Sequence, residues 1–123
     1  MIVGIGNDII EIERIKKACS RKSFLEHCYT GEEIAQLGTS YLSLAGNFCV
    51  KEAVAKSMGT GFRTFGLTDI EVLRDALGKP YVQLYGGAKK QAEALGIRRI
   101  HVSISNLKDI ASAVAVAEGE DVD

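Results

Sequence analysis

The chain has 123 residues, 46% of them hydrophobic and 25% charged, the composition of one globular domain that is large enough for a core but too short for two. Its 15 Lys and Arg against 16 Asp and Glu leave a formal net charge of −1, which excludes bulk attraction to nucleic acid. No apolar run approaches the roughly 18 residues of a membrane helix. Three cysteines, Cys19, Cys28 and Cys49, form no CxxC pair, which predicts reduced thiols in a cytoplasmic protein.

Residues 2–9 of "MIVGIGNDII" read as a buried first strand and not as a signal peptide, because Asp8 interrupts the apolar run and no basic stretch precedes it. In a strand, Gly4, Gly6 and Asp8 share one face. That face is bare just before a carboxylate. Either a ligand comes close to it, or a helix packs on the glycines while Asp8 caps the next helix. Ile9 stands where the third glycine of a dinucleotide fingerprint would fall, so that motif is excluded.

Residues 10–26 turn helical, with Ile12, Ile15 and Cys19 on one face. From Arg14 to Lys22 the segment carries basic residues and no acid, and Arg14, Lys17 and Arg21 fall at i, i+3 and i+7. This is a docking face for an acidic partner or a plain solvated face. Thr30 and Glu33 have the spacing of a capping box, and Gly38 can end the short helix that follows. The longest helical pattern covers residues 41–58, with Gly59 as its natural stop.

That long helix ends in "VKEAVAKSMGTG" and carries Glu52 among Phe48, Cys49 and Ala55. An ionised carboxylate in such a place needs a partner. Lys56, one turn on, is the plain choice. The alternative is a divalent cation shared with Asp8, since oxygen-only ligation suits Mg²⁺, which keeps waters and binds substrate phosphates. Lys51, Lys56 and the glycine turn "GTG" would then fit a phosphate site.

The second half predicts two short strands, "DIEVLRD" and "PYVQLY", around the turn "ALGK". A helix in "GAKKQAEALG" ends at Gly96, and "RIHVSIS" alternates, with Ile100, Val102 and Ile104 opposite His101, Ser103 and Ser105. His101 is a base, a phosphate donor or an ordinary hydrogen-bonded histidine. "NLKD" turns the chain and "IASAVAVAE" returns as a strand, while the acidic tail "GEDVD" is expected to fray. Helices and strands are segregated, which predicts an α+β fold with a mainly antiparallel sheet over residues 1–123 as a single domain.

Taken in order, "GIGNDIIEIERI", "FLEHCYTGEE", "LAGNFCVKEAVAKSMGTGF", "DIEVLRDALGKPYVQLYG" and "IHVSIS" resemble the 4'-phosphopantetheinyl transferase family, in its small trimeric holo-[acyl-carrier-protein] synthase type. The resemblance covers nearly the whole chain. It implies that family's α+β fold and transfer of the phosphopantetheine arm of coenzyme A to a serine of apo acyl carrier protein, releasing adenosine 3',5'-bisphosphate. It also implies Mg²⁺ held by Asp8 and Glu52, with Asp8, Glu52 and Lys56 as the catalytic set. Coenzyme A would meet Lys56, Gly59, Gly61, Lys79, Pro80, His101 and Ser103. Acyl carrier protein would dock on Arg14, Lys17 and Arg21. The base for the serine proton is Glu52 through a water, or a hydroxide on the metal. The type assembles as a homotrimer with active sites between subunits and serves fatty-acid biosynthesis. One departure stands out: Asn47 occupies the place of the family's usual arginine.

Overall fold

The structure is a computed structural model that describes residues 1–121. Five strands and five α-helices run in the order β1 (Ile2–Glu11), α1 (Ile12–Cys19), α2 (Lys22–Cys28), α3 (Gly31–Leu37), α4 (Tyr41–Ser57), β2 (Ile70–Arg74), β3 (Pro80–Leu84), α5 (Gly86–Ala94), β4 (Ile97–Asn106) and β5 (Ile110–Gly119). A short 3-10 turn, Leu67–Asp69, precedes β2. The strands form one three-stranded sheet in the order β1-β5-β4 and a β2-β3 hairpin. All three pairings are antiparallel, as the segregated pattern predicts.

Along β5 and the start of β1, the inner face of the larger sheet is built from the smallest side chains. Ala111, Ala113, Ala115 and Ala117 of β5 are all buried. On β1 a Cβ added at Gly4 would lie 1.9 Å from the Ser57 carbonyl oxygen, and one at Gly6 would lie 2.0 Å from that of Ala53. Helix α4 therefore lies directly on the β1 backbone, closer than any side chain would permit. Leu44, Ala45, Cys49, Val50, Ala53 and Val54 of α4 are buried there. The tight-packing alternative for the glycines is correct, but Asp8 does not cap a helix: β1 runs on to Glu11, which precedes α1.

The single helix expected over residues 10–26 is two helices. Ser20 Oγ donates to the Lys17 carbonyl at 2.6 Å, and Arg21 is extended with φ −96° and ψ 121°, so the chain turns there and restarts as α2. The capping box at α3 forms as predicted, and Gly38 ends that helix at φ 58°. Thr30 does more than cap. Its hydroxyl accepts from the Glu33 N–H at 3.2 Å and donates to Glu71 Oε2 at 2.6 Å. Thr30→Ala loses the cap and the tie to β2, and is expected to cost about 2 kcal/mol, read from a denaturant midpoint. In the tail, Asp121 pairs with the N-terminal amine at 2.7 Å. The tail expected to fray is residues 119–123, but Gly119 ends β5 with its N–H donating to the Met1 carbonyl at 2.8 Å, and residues 122 and 123 lie outside the described residues.

Candidate active site

Asp8 sits on the glycine face of β1 and so meets α4, where Glu52 and Lys56 are one turn apart. Lys56 does not pair with Glu52. Its Nζ donates to the Asn7 carbonyl at 2.9 Å and lies 3.5 Å from Asp8 Oδ1. The i,i+4 salt bridge considered for Glu52 is therefore absent among the described residues, because the bare glycine strand lets the lysine reach the β1 backbone instead. Burial pushes the Glu52 carboxyl up, the Asp8 charge adds to this, and Lys56 opposes it.

Asp8 raises the charge cost of Glu52, and two carboxylates so placed form a donor set suited to a hard cation. No third His, Cys, Asp or Glu joins them among the described residues. That fits Mg²⁺, which takes one or two carboxylates and completes its shell from waters and phosphates. Cys49 lies beside Asp8, where burial and then the Asp8 charge push its thiol up to about 12, so it is a neutral wall and not a ligand. Nothing in the residue spacing signalled this neighbour; it follows from the depth at which α4 lies on the sheet.

Asp8 and Lys56 open on a cleft of about 520 Å³ whose other walls include Asn7, Ser103, Ser105 and Ser112. Of the residues predicted to meet the coenzyme, Lys56 and Ser103 are there. Gly59 and Gly61 follow α4 with φ 77° and 61°, conformations that glycine adopts freely, and nothing lies near a Cβ added at either. His101, on the exposed face of β4, contacts Glu118 Oε1 at 2.9 Å. Lys79 and Pro80 lie on the β2-β3 hairpin, which is a separate sheet, and the single chain does not bring them to the cleft.

Lys51 is not at a phosphate site. Its side chain is fully buried, and its Nζ donates to Glu33 Oε1 at 2.6 Å, Ile70 O at 2.6 Å and Leu67 O at 3.0 Å. Burial pushes its ammonium down and the Glu33 carboxylate opposes this. Asn47 is buried in the same network, and its Oδ1 accepts from Arg74 Nη2 at 2.9 Å, so a guanidinium stands beside this position after all. On α1 and beyond its end, Arg14, Lys17 and Arg21 do line one depression with Ala18 and Ser20, despite the helix break.

Residues 4–115 match the model of the 4'-phosphopantetheinyl transferase superfamily. The chain belongs to that family. It is 53% identical over 118 residues to the holo-[acyl-carrier-protein] synthase of Lachnoclostridium phytofermentans, with 96% of this chain and 97% of the relative covered. The crystal structure of the holo-[acyl-carrier-protein] synthase of Neisseria meningitidis superposes with a TM-score of 0.87 at 36% identity, covering 96% of this chain and 99% of that one. The enzyme of the same name from Helicobacter pylori, solved in complex with coenzyme A, gives a TM-score of 0.83 at 30% identity over 93% of this chain and 99% of that one. The α+β phosphopantetheinyl transferase fold expected from the resemblance is thus the fold of this chain.

Proposed function

We propose that this member of the family is a holo-[acyl-carrier-protein] synthase whose reaction runs at the cleft of Asp8 and Lys56, beside Glu52, and requires Mg²⁺. It moves the 4'-phosphopantetheine arm of coenzyme A to a serine of apo acyl carrier protein and releases adenosine 3',5'-bisphosphate. The observation that carries the site assignment is that Asp8 and the half-exposed Lys56 meet on the wall of one cleft, with Glu52 on the next turn of α4 close enough to feel the charge of both. Asp8 and Glu52 would hold the cation, which when bound neutralises charge on the pyrophosphate.

Lys56 is free enough to follow a phosphate. Its side chain is 53% exposed, and its Asp8 contact is long. It would neutralise charge on the leaving group as the serine oxygen attacks the β-phosphorus. Glu52 would take the serine proton through a water. Ser103 would line the arm's path. Gly59, Gly61, Lys79, Pro80 and His101 would meet the coenzyme from around the cleft.

The coenzyme contacts on the hairpin need a neighbouring subunit. Ile5, Ile9 and Val114 stand exposed on the outer face of the larger sheet, Ile5 at 67% and Ile9 at 68%. These exposed apolar residues, of which Ile9 and Val114 also line the cleft beside Asn7, Ser103, Ser105 and Ser112, suit burial against a second copy. We place the trimer's contacts there, with Lys79 and Pro80 of one subunit serving the cleft of another. All three cysteines are free thiols, in keeping with a cytoplasmic protein of fatty-acid biosynthesis, and no helix among the described residues is long and apolar enough to cross a membrane.

The test is the intact mass of an apo acyl carrier protein after incubation with this chain and coenzyme A. A gain of one phosphopantetheine group with Mg²⁺, and none with chelator, is the expected result. No gain with several carrier proteins would remove the reading. The docking assignment has its own check. Reversing Arg14, Lys17 and Arg21 to glutamate is expected to raise KM for the carrier protein by at least about tenfold with little change in kcat, and added salt should weaken the native pair in the same way.

A further inference from the structure

Residues 51 and 52 lie about 100° apart around α4, so two polar stripes run along neighbouring faces of one helix. The stripe of Glu52 and Lys56 faces Asp8. The stripe of Asn47 and Lys51 faces the other way, into the protein. There both oxygens of one carboxylate grip α4: Glu33 Oε1 accepts from Lys51 Nζ at 2.6 Å and Glu33 Oε2 accepts from Asn47 Nδ2 at 3.0 Å. Asn47 Nδ2 also donates to the Val72 carbonyl at 2.9 Å.

The three hydrogens of the Lys51 ammonium are all used, on Glu33, Leu67 O and Ile70 O. Leu67 is where the glycine loop of residues 59–66 ends, and Ile70 begins β2. One buried charge thus ties together α3, the helix that carries Glu52 and Lys56, and the far end of the loop that follows them. A hydrophobic residue of similar size would fill the space but would make none of the three bonds that join α4 to Glu33, Leu67 and Ile70. Under α4 the β1 and β5 surface is Gly and Ala, and larger side chains come from β4, with Ile104 against Gly46.

We infer that Lys51, with Glu33, is a positioning residue of the transfer reaction: it sets the rotation of α4, and with it Glu52 and Lys56, and anchors the loop of residues 59–66. The inference rests on the transferase reading. Neither residue touches the cleft, so their effect passes through the helix and the loop.

The test separates position from stability. K51M leaves the Glu33 carboxylate buried without its counter-charge, and should melt well below the native chain. The double variant K51M/E33Q removes both charges, and should melt above K51M because no lone charge remains. If Lys51 positions the site, kcat per folded molecule in the double variant stays about 10- to 100-fold below the native value, while KM for the carrier protein changes by less than about twofold. Hydrogen–deuterium exchange at residues 59–69 should be faster in the double variant than in the native chain. Recovery of both melting temperature and kcat in K51M/E33Q, with native exchange in the loop, would overturn the inference. Should K51M not fold, the double variant against the native chain at a temperature where both are folded gives the same decision. Should the native chain fail to transfer the arm, the transferase reading falls, and unchanged or faster loop exchange still decides whether Lys51 is the anchor.

Discussion

Glu52→Gln is expected to stop transfer while leaving the metal-free protein at least as stable as the native chain. The two effects have one cause. Glu52 is a half-buried carboxylate beside Asp8, with no ion-pair partner of its own among the described residues. Its carboxyl is raised by burial first and by Asp8 second. A carboxyl raised in the folded state stabilises below the ordinary carboxylate range, and that contribution is lost as pH rises through the raised value. In chelator at neutral pH the native chain therefore carries a destabilising charge that glutamine removes. The melting temperature should rise or hold, and the part of its fall with pH that comes from this group should disappear. Transfer should drop by at least about 100-fold, since loss of a ligand exceeds the loss usually seen for an outer partner. Mg²⁺ with coenzyme A should raise the melting temperature of the native chain and not of E52Q. A melting temperature well below native in chelator would mean that Glu52 is a structural partner of something in the fold.

Gly6→Ala should be among the most damaging single methyl groups in the chain, with Gly4→Ala beside it. At Gly6 the new Cβ would lie 2.0 Å from the Ala53 carbonyl, 2.8 Å from the Ser57 nitrogen and 2.9 Å from Lys56 Cβ. Two of these are backbone atoms of α4, which cannot turn aside as a side chain can. The helix must lift off the strand, at a cost of about 3 kcal/mol or more, read from denaturant unfolding. The folded remainder should also turn over poorly, because the same displacement carries Glu52 and Lys56 away from Asp8. Gly31→Ala is the contrast: nothing lies within 4 Å of a Cβ added there, so stability should stay within about 0.5 kcal/mol of native or rise slightly.

Much of this was legible in the sequence for plain reasons. The alternation in residues 100–105 places Ile100, Val102 and Ile104 toward the core and His101, Ser103 and Ser105 outward, and the structure follows it. Thr30 and Glu33 announced their capping box, and Gly59 its helix end. The glycine strand admits two readings, a ligand approach and a packing face. The two readings are compatible, because packing α4 on Gly4 and Gly6 is what brings Glu52 and Lys56 to Asp8.

What stayed hidden depended on contacts distant in sequence. Lys51 and Lys56 look alike in "VKEAVAK", yet one is fully buried and the other half exposed. Only the position of Glu33, 18 residues earlier, separates them. The break at Ser20 was hidden because a serine that bonds back to a helical carbonyl has no periodicity to betray it. Asn47 read as a lost positive charge, but β2 brings Arg74 to it from 27 residues away.

The central claim is that Asp8 and Glu52 share one divalent cation with the pyrophosphate of coenzyme A. Mn²⁺ binding followed by electron paramagnetic resonance, with and without coenzyme A, tests it directly in the native chain, D8N and E52Q. The account predicts one Mn²⁺ per chain in the native protein, tightened by coenzyme A, and loss of that site in both variants. Equal Mn²⁺ binding in the native chain and in both variants would contradict it and move the metal, or the chemistry, elsewhere.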